Sequence, residues 1–453
     1  MFLSSLNTKI TMVKIGLLFR NIFDLFKRQA YLLYIISFVL VNLPPFTFLG
    51  INDYISTHNI AFLLVIVLFF LKYIATYTNK INKNVSNLLL ILIISYLLGQ
   101  SLSVLAIVNI FDYARKYKNI LFGIMFFLIS VEINNKKKVL DKTIYFLILI
   151  VIVKIAFQAV FYFQIQPLWK WTNSFLEANY ANFISLQFKR QRFFIEIYDI
   201  ALVPIIYMFL IYQKKIITRL VAWLSIIGTI FFAFVSNYRI HLVVGFFDYL
   251  AITNTLILKN NKKKLLLISV FLLITLTSSL LSKEASGISS ANRIIAPDSV
   301  DIKNIIGRFH YWHSAVKMGL SSPFFGIGLG QFYDYFDHKS IVQLSLKDSK
   351  NLLMRVTAID PHNIFFGIFA ETGLSGFITY LIMLLYFISS DYLLLKQNNL
   401  YLKSMIASFW ALFLFSLVGP SYDLTYQSLI WFLRASIISS SKFTKPGVKI
   451  LTN

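Results

Sequence analysis

The stretch TIYFLILIVIVKIAFQAVFYF, residues 143–163, contains a single charged side chain, Lys154. A helix rises about 1.5 Å per residue, so roughly 20 apolar residues span a hydrocarbon core of about 30 Å. Similar runs recur along the 453-residue chain, which is 58% hydrophobic and 14% charged. A soluble domain carries about a quarter charged residues. The sequence therefore predicts an all-α integral membrane protein.

The apolar runs predict a bundle of about 12 transmembrane helices. The predicted spans are residues 31–50, 60–78, 86–110, 119–132, 143–163, 194–212, 220–235, 240–257, 265–282, 363–388, 404–419 and 424–440. The regions of the chain are then a basic N-terminal segment (1–30), spans one to nine (31–282) with an outer loop (164–193), a large outer loop (283–362), spans ten to twelve (363–440) and a basic tail (441–453). Aromatic residues in the large loop predict that it is partly folded, in helices.

The distribution of lysine and arginine orients the bundle. Loops that stay in the cytoplasm carry an excess of basic residues. With both termini in the cytoplasm, the inward loops hold most of these residues, including the lysine runs 136–138 and 262–264. The net charge of +24 is thus spread over many short loops on one face. This pattern is a topological signal, and no nucleic-acid partner is expected.

The large outer loop and the start of span ten carry four motifs in a fixed order. They are GRFHYWHSA (307–315), SPFFGIGLGQF (322–332), PHN (361–363) and ETGLSG (371–376). The order Arg–x3–Trp, Pro-x-x-Gly-x-Gly-x-Gly, His-Asn and Glu-x-Gly-x-x-Gly resembles the O-antigen ligase and O-antigen polymerase family of bacterial envelope enzymes. The resemblance is tightest over residues 305–380.

This resemblance implies glycosyl transfer without a metal or another cofactor, on the outer face of the bacterial cytoplasmic membrane. The implied donor is a glycan on undecaprenyl pyrophosphate. The implied acceptor is either another lipid-linked glycan, for a polymerase, or the lipid A–core, for a ligase. We favour the polymerase and keep the ligase as the alternative. The lipid bilayer and a chain-length regulator are further candidate partners.

The resemblance also implies a site with two arginines and one histidine. Arg308 and His362 match two of these positions. The second arginine is best matched by Arg239, which follows Ser236-Asn237-Tyr238. Further candidates for substrate binding are Arg190, Arg192, Trp312, His313 and Asn363.

The chemistry of these side chains suits the implied reaction. Arginine stays protonated and holds phosphate oxygens through paired hydrogen bonds, which stabilises a departing pyrophosphate. Histidine titrates near neutral pH and can take the proton of a sugar hydroxyl. The alternative interpretations are that His362 caps or packs a helix entrance and that Arg308 is a solvated or lipid-facing arginine.

Two charged residues within the spans need partners. An unpaired charge inside a bilayer is costly, so Lys154 in span five is predicted to pair with Asp199 or Glu196 in span six. Glu371 lies on the opposite face of its helix from His362 and is predicted to have a structural role. Gly373 and Gly376 would let another helix approach closely.

The glycines at 326, 328 and 330 lack the spacing and the strand–turn–helix setting of a dinucleotide site. They predict a tight loop or a close backbone approach to a substrate. A transporter of lipid-linked oligosaccharide is a second alternative function. Transporters usually show repeat symmetry and polar breaks near the bilayer midplane, whereas here the distinctive polar residues gather in the outer loops.

Overall fold

The computed structural model describes residues 29–47, 56–71, 85–163, 198–235, 239–252, 299–336, 341–345, 351–355, 360–397, 399–419 and 422–443, with short pieces between 165 and 185. The side chains of residues 234–235, 239 and 299–305 and of both strands lie outside this description. The ninth predicted span, 265–282, also lies outside it.

The described chain is almost entirely helical. The helices are α1 (Gln29–Asn42), α2 (Thr57–Phe69), α3 (Asn87–Leu102), α4 (Ile110–Ile133), α5 (Lys137–Tyr162), α6 (Val203–Tyr212), α7 (Ile216–Val235), α8 (Arg239–Ile252), α9 (Ser299–Ser321), α10 (Phe332–Tyr335), α11 (Ile364–Leu395), α12 (Leu400–Ser416) and α13 (Leu424–Ser441). The two strands, β1 (Ile341–Ser345) and β2 (Asn351–Arg355), form an antiparallel hairpin.

This architecture is that of a helical membrane protein. Four described segments are long and apolar enough to cross a bilayer, namely 87–106, 137–162, 216–233 and 364–395. Five more apolar helices are shorter. Every predicted span except the ninth falls at least partly on a described helix, and the number of twelve spans stays a prediction. The large loop is partly helical in α9 and α10, whereas its hairpin was not predicted.

The start of α4 differs from the sequence prediction. The fourth span was expected to begin at residue 119, but the helix begins at Ile110, where the side chain of Asn109 accepts a hydrogen bond from the N–H of Phe111. An asparagine at this position satisfies a backbone donor that the first helical turn leaves free. Consequently Arg115 and Lys116 lie on a helix and not in a loop.

The core joins α4 to α13 and α13 to α12, while α11 packs against α3 and α9. Small residues allow the crossing of α3 and α11. A Cβ on Gly99 would lie 2.7 Å from the carbonyl oxygen of Ser375, and one on Gly376 would lie 2.9 Å from the side-chain nitrogen of Gln100. The close helix approach predicted at Gly376 is therefore present.

Gly373 has a different role, because α11 is interrupted there. Its φ of 60° and ψ of −157° are not helical. The glycine-rich loop, defined here as residues 322–331, fills the interruption and forms hydrogen bonds with the freed backbone. The N–H groups of Ile327 and Gly328 donate to the carbonyls of Ala370 (2.9 Å) and Glu371 (3.0 Å), and those of Leu374 and Ser375 donate to the carbonyls of Pro323 (2.7 Å) and Phe324 (3.3 Å).

The three glycines of this loop have φ values of 68°, 100° and 88°, a region that residues with a Cβ rarely adopt. A Cβ on Gly326 would lie 2.4 Å from the carbonyl carbon of Glu371, and one on Gly330 would lie 2.7 Å from the carbonyl oxygen of Asp112. The predicted tight loop is present, and its close approach is to α11 and α4 of the protein itself. The loop thus locks α9, α11 and the start of α4 together.

Gln331 completes this junction. Its side-chain oxygen accepts the N–H of Asn109 at 2.8 Å, and its side-chain nitrogen donates to the carbonyl of the same residue at 2.9 Å. Gln331 is fully buried. A buried amide with both ends hydrogen-bonded fixes the loop relative to the first turn of α4.

Two buried ion pairs join helices elsewhere in the bundle. Lys154 on α5 donates to Asp199 at 3.0 Å, which confirms the predicted pairing. Glu196, the other predicted partner, lies outside the described residues. Arg434 on α13 donates to Asp391 on α11 at 2.6 Å, and Trp410 donates to the second oxygen of that carboxylate at 3.0 Å. This second pair was not predicted.

Candidate active site

Helix α9 lies against the entrance of α11. Trp312 stacks on Phe366 with ring centroids 5.3 Å apart, and its indole N–H donates to the carbonyl of Pro361 at 3.1 Å. Trp312 was predicted as a substrate-binding residue. Its hydrogen bond and its stacking partner both lie within the protein, and together they attach the Arg308 helix to the segment that carries His362.

The segment Asp360-Pro361-His362 forms a compact turn. His362 is the one described non-glycine residue with positive φ, at 50°. Its backbone N–H donates to Oδ1 of Asp360 at 2.6 Å, and its ring Nδ1 lies 3.1 Å from the same oxygen. Histidine tolerates this backbone region better than most residues, and outliers of this kind cluster at functional sites. One carboxylate oxygen therefore holds both the backbone and the ring of His362.

This contact determines how the imidazole is presented. A carboxylate at Nδ1 favours a proton on that nitrogen, which leaves the lone pair of a neutral ring on Nε2. The side chain of His362 is 36% exposed, so the ring is accessible from solvent. Burial tends to raise the pKa of Asp360, but the hydrogen bonds and charge of His362 and the charge of Lys116 outweigh it, so the pKa lies below its usual value. Asp360 is accordingly an anion at neutral pH.

Tyr311 packs beside the predicted histidine. Its ring centroid is 5.8 Å from that of His362, and it follows Arg308 by three residues, about one helical turn. Burial raises the pKa of Tyr311, with Asp360 adding to the rise and Arg308 opposing it. Arg308 is half-buried, and its one-turn spacing from Tyr311 puts it on the same side of α9 as the residue that contacts His362.

Asn363 has a structural position. Its side-chain oxygen accepts the N–H groups of Phe365 at 2.9 Å and Phe366 at 3.3 Å, which caps α11. Its side-chain nitrogen donates to the carbonyl of Leu417 at 3.1 Å. Helix capping was the alternative interpretation of His362, and in the structure Asn363 performs it.

Glu371 also has a partner that connects it to the site. Lys116 on α4 donates to Oε1 of Glu371 at 2.6 Å, and its ammonium group lies 4.8 Å from the ring centroid of Tyr422. Glu371 is fully buried, as the expectation of a structural role requires. Lys116 is also close enough to influence the pKa of Asp360. The site region thus contains Lys116, which the sequence assigned to a short outer loop.

The structure does not bring every predicted residue to this place. His313 is exposed and lies about 140° around α9 from Arg308, away from the face that contacts α11. Arg239 begins α8, and its side chain lies outside the described part of the chain. Arg190 and Arg192 also lie outside it. The assignment of the second arginine to Arg239, with Arg190 and Arg192 as competitors, stays a prediction.

A known protein family matches the part of the chain that contains most of this site. Residues 197–381 match the family model described as O-Antigen ligase. This stretch is similar to the O-antigen ligase family. It begins just before α6 and ends within α11, so it contains Arg239, Arg308, Asp360, His362 and Glu371. No curated protein matches the chain.

The similarity to O-antigen ligases was recognisable from the motifs, but three residues at or near the candidate site were missed. Asp360 precedes His362 by two positions, and a carboxylate so close in sequence to a candidate base was a usable signal. Tyr311 follows Arg308 at helical spacing, which was also readable. Lys116 precedes Glu371 by 255 residues and lies outside the matched stretch, so no local pattern joined the two.

Proposed function

We propose that this protein transfers a glycan from undecaprenyl pyrophosphate to a sugar hydroxyl, on the outer face of the bacterial cytoplasmic membrane, and that it thereby polymerises repeat units of a surface polysaccharide. The observation that carries the proposal is the Asp360–His362 contact beside the Arg308 face of α9, within a stretch that matches the O-antigen ligase family model. A held imidazole next to a fixed cation is what this reaction needs.

In the proposed reaction the acceptor hydroxyl oxygen attacks the anomeric carbon of the donor. The bond between that carbon and the pyrophosphate oxygen breaks, and the carrier leaves with the bonding electrons. Nε2 of His362 takes the hydroxyl proton, which typically accelerates such a step by about 10² to 10⁴. Arg308 stabilises the charge that builds on the departing phosphate, and one well-placed donor of this kind contributes about 3 kcal/mol.

Asp360 supports this step in two ways. It favours a proton on Nδ1, so that Nε2 carries the accepting lone pair, and its negative charge stabilises the imidazolium that forms when the proton arrives. Tyr311 packs beside the imidazole, with ring centroids 5.8 Å apart. Both residues act through the groups they contact, so we regard them as positioning residues.

The second candidate is ligation of a finished polymer to lipid A–core, which the description of the family model favours. The bonds made and broken are the same, and only the acceptor differs. Deleting the gene in its host distinguishes the two functions. Lipid A–core with a single repeat unit indicates a lost polymerase, whereas bare core with polymer left on the carrier indicates a lost ligase.

The reaction itself is tested with purified protein and lipid-linked oligosaccharide. We expect Arg308→Ala and His362→Ala each to lower turnover by at least about 100-fold, as the loss of a charge-stabilising donor or a general base implies. Lys317→Ala is the matched control, because Lys317 is exposed on α9, about half a turn away from the Arg308 face.

Normal turnover in both site variants would refute the assignment. The same preparation also separates the enzyme from a transporter of lipid-linked oligosaccharide. A transporter moves its substrate across proteoliposomes and leaves the glycosyl–pyrophosphate bond intact.

A further inference from the structure

Lys116 is an accessible cation held in one place. Its ammonium group lies 2.6 Å from Oε1 of Glu371, whose side chain is fully buried, while the lysine side chain is 20% exposed. The ring of Tyr422 lies beneath the same ammonium group. An ammonium group carries three donors, and the hydrogen bond to Glu371 uses one of them. Lys116 is therefore oriented by the protein and still open to a ligand on one side.

The position of Lys116 relative to the bilayer follows from α11. This helix has 32 residues and would be about 48 Å long, whereas the hydrocarbon core is only about 30 Å thick. Exposed large apolar side chains recur at helical spacing from the interruption onward, at Leu374, Ile378, Ile382, Leu385 and Ile388. The large apolar side chains between residues 364 and 373 are all half-buried or buried. Lipid contact on α11 therefore begins just after Gly373.

This boundary puts Lys116 and His362 at different distances from the hydrocarbon core of the bilayer. Glu371 precedes Leu374 by three residues, which span at most about 10 Å whatever the backbone conformation at Gly373, so Lys116 lies close to the headgroup layer. His362 lies about 15 Å or more beyond it. The isoprenoid tail of a carrier must stay in the hydrocarbon, so its phosphates reach the level of Lys116 before the attached sugar reaches His362.

We propose that Lys116 binds the pyrophosphate of the carrier lipid at the membrane surface and that Glu371 is its positioning partner. This inference rests on the proposed function for the identity of the ligand. A lysine held by a glutamate is an established way to present a cation to phosphates, as the ion pair of protein kinases illustrates.

A purely structural ion pair would give the same hydrogen bond, so the experiment separates binding from folding. In Lys116→Met combined with Glu371→Gln, both charges are replaced by neutral side chains of similar size. We expect this double variant, in lipid nanodiscs, to unfold close to the wild-type temperature. We expect its Kd for undecaprenyl pyrophosphate to be at least about tenfold higher, as the loss of a charge-assisted hydrogen bond implies.

Arg115→Met is the matched control. Arg115 is the neighbouring residue on α4, its replacement removes one positive charge just as Lys116→Met does, and it is 73% exposed and paired with Asp112. Its Kd should stay at the wild-type value. Wild-type affinity in the double variant would overturn the inference, since Lys116 would then serve only as the partner of Glu371.

A second measurement uses the wild-type protein, so its result does not depend on whether a variant folds. Undecaprenyl pyrophosphate should slow the acetylation of Lys116 by an amine-reactive reagent, as read by mass spectrometry, whereas undecaprenol should not. Lys118 on the same helix donates to Asn59 and serves as the internal control. Unchanged acetylation of Lys116 would also overturn the inference.

The two proposals fail in different ways. Glycan transfer by the wild type together with unaltered carrier affinity in the double variant rejects the role of Lys116 and keeps the enzyme. Carrier binding through Lys116 without any glycan transfer keeps the binding site and rejects the enzyme.

Discussion

Replacing Asp360 by asparagine tests how the Asp360 carboxylate supports His362 as the proposed general base. Asparagine has nearly the same shape and keeps an oxygen that can accept the backbone N–H of His362, now 2.6 Å from Asp360. It removes the negative charge that lies 3.1 Å from the ring nitrogen Nδ1. The fold of the turn should survive, while the imidazole loses the group that fixes its proton and stabilises its charged form.

The expected size of the effect follows from this contact. A hydrogen bond to a charged group contributes about 1.5–3 kcal/mol, and each 1.4 kcal/mol corresponds to a factor of about ten in rate. The side chain of Asp360 is 18% exposed, so solvent screens part of this interaction. We therefore expect Asp360→Asn to lower kcat by about 10- to 100-fold, with KM for the lipid-linked donor nearly unchanged.

The assay is turnover of lipid-linked oligosaccharide by Asp360→Asn, His362→Ala and the double variant. If Asp360 acts only through His362, it adds nothing once the imidazole is gone, so the double variant should equal His362→Ala. Independent effects that multiply in the double variant would contradict this reasoning. An unchanged kcat in Asp360→Asn would also refute it.

Three further predictions concern stability, each measured as thermal unfolding in detergent or nanodiscs. Lys154→Met should destabilise the protein by about 3–5 kcal/mol, because it leaves the buried Asp199 carboxylate unpaired. Adding Asp199→Asn should recover most of this loss. A double variant as unstable as Lys154→Met alone would contradict the prediction. Gly326→Ala should lower the stability of the protein by about 2–5 kcal/mol, since it combines a φ of 68° with a backbone clash. In the control Gly419→Ala the nearest atom to the new Cβ would be 3.4 Å away, so its loss of stability should be small. Equal losses in the two variants would refute the proposed fit of the glycine-rich loop. Because the pKa of Asp360 is lowered on folding, its contribution to stability is fully present above its usual pKa of 3.8 and is lost as the pH falls through the lower folded value. The difference in stability between wild type and Asp360→Asn should therefore be constant above about pH 3.8 and shrink as the pH falls further; a difference that does not change with pH in this acidic range would have another origin.

Part of the candidate site was readable in the sequence and part was not. The order of the motifs identified Arg308 and His362, and the structure places the helix of one against the turn of the other. The motifs gave no indication that Asn363 caps α11 or that His313 lies on another face of α9. A motif records which residue types occur in order, whereas a role depends on the direction in which each side chain leaves the backbone.

The sequence by itself determined the class of the protein and most of its helices. A long apolar run inside a bilayer has to be helical, since a helix hydrogen-bonds all of its backbone polar groups within the segment itself. The depth of a charged residue within such a run also follows from its position, which is why the pairing of Lys154 with Asp199 was predictable.

Only the tertiary structure decided where the large loop docks. The interruption at Gly373, the insertion of residues 322–331 and the pairing of Lys116 with Glu371 all join segments that are distant in sequence. Local periodicity reflects which face of a helix is buried, but it does not specify which distant backbone will occupy a gap. That choice is made by packing and by the need to satisfy the hydrogen-bonding groups that the interrupted helix exposes.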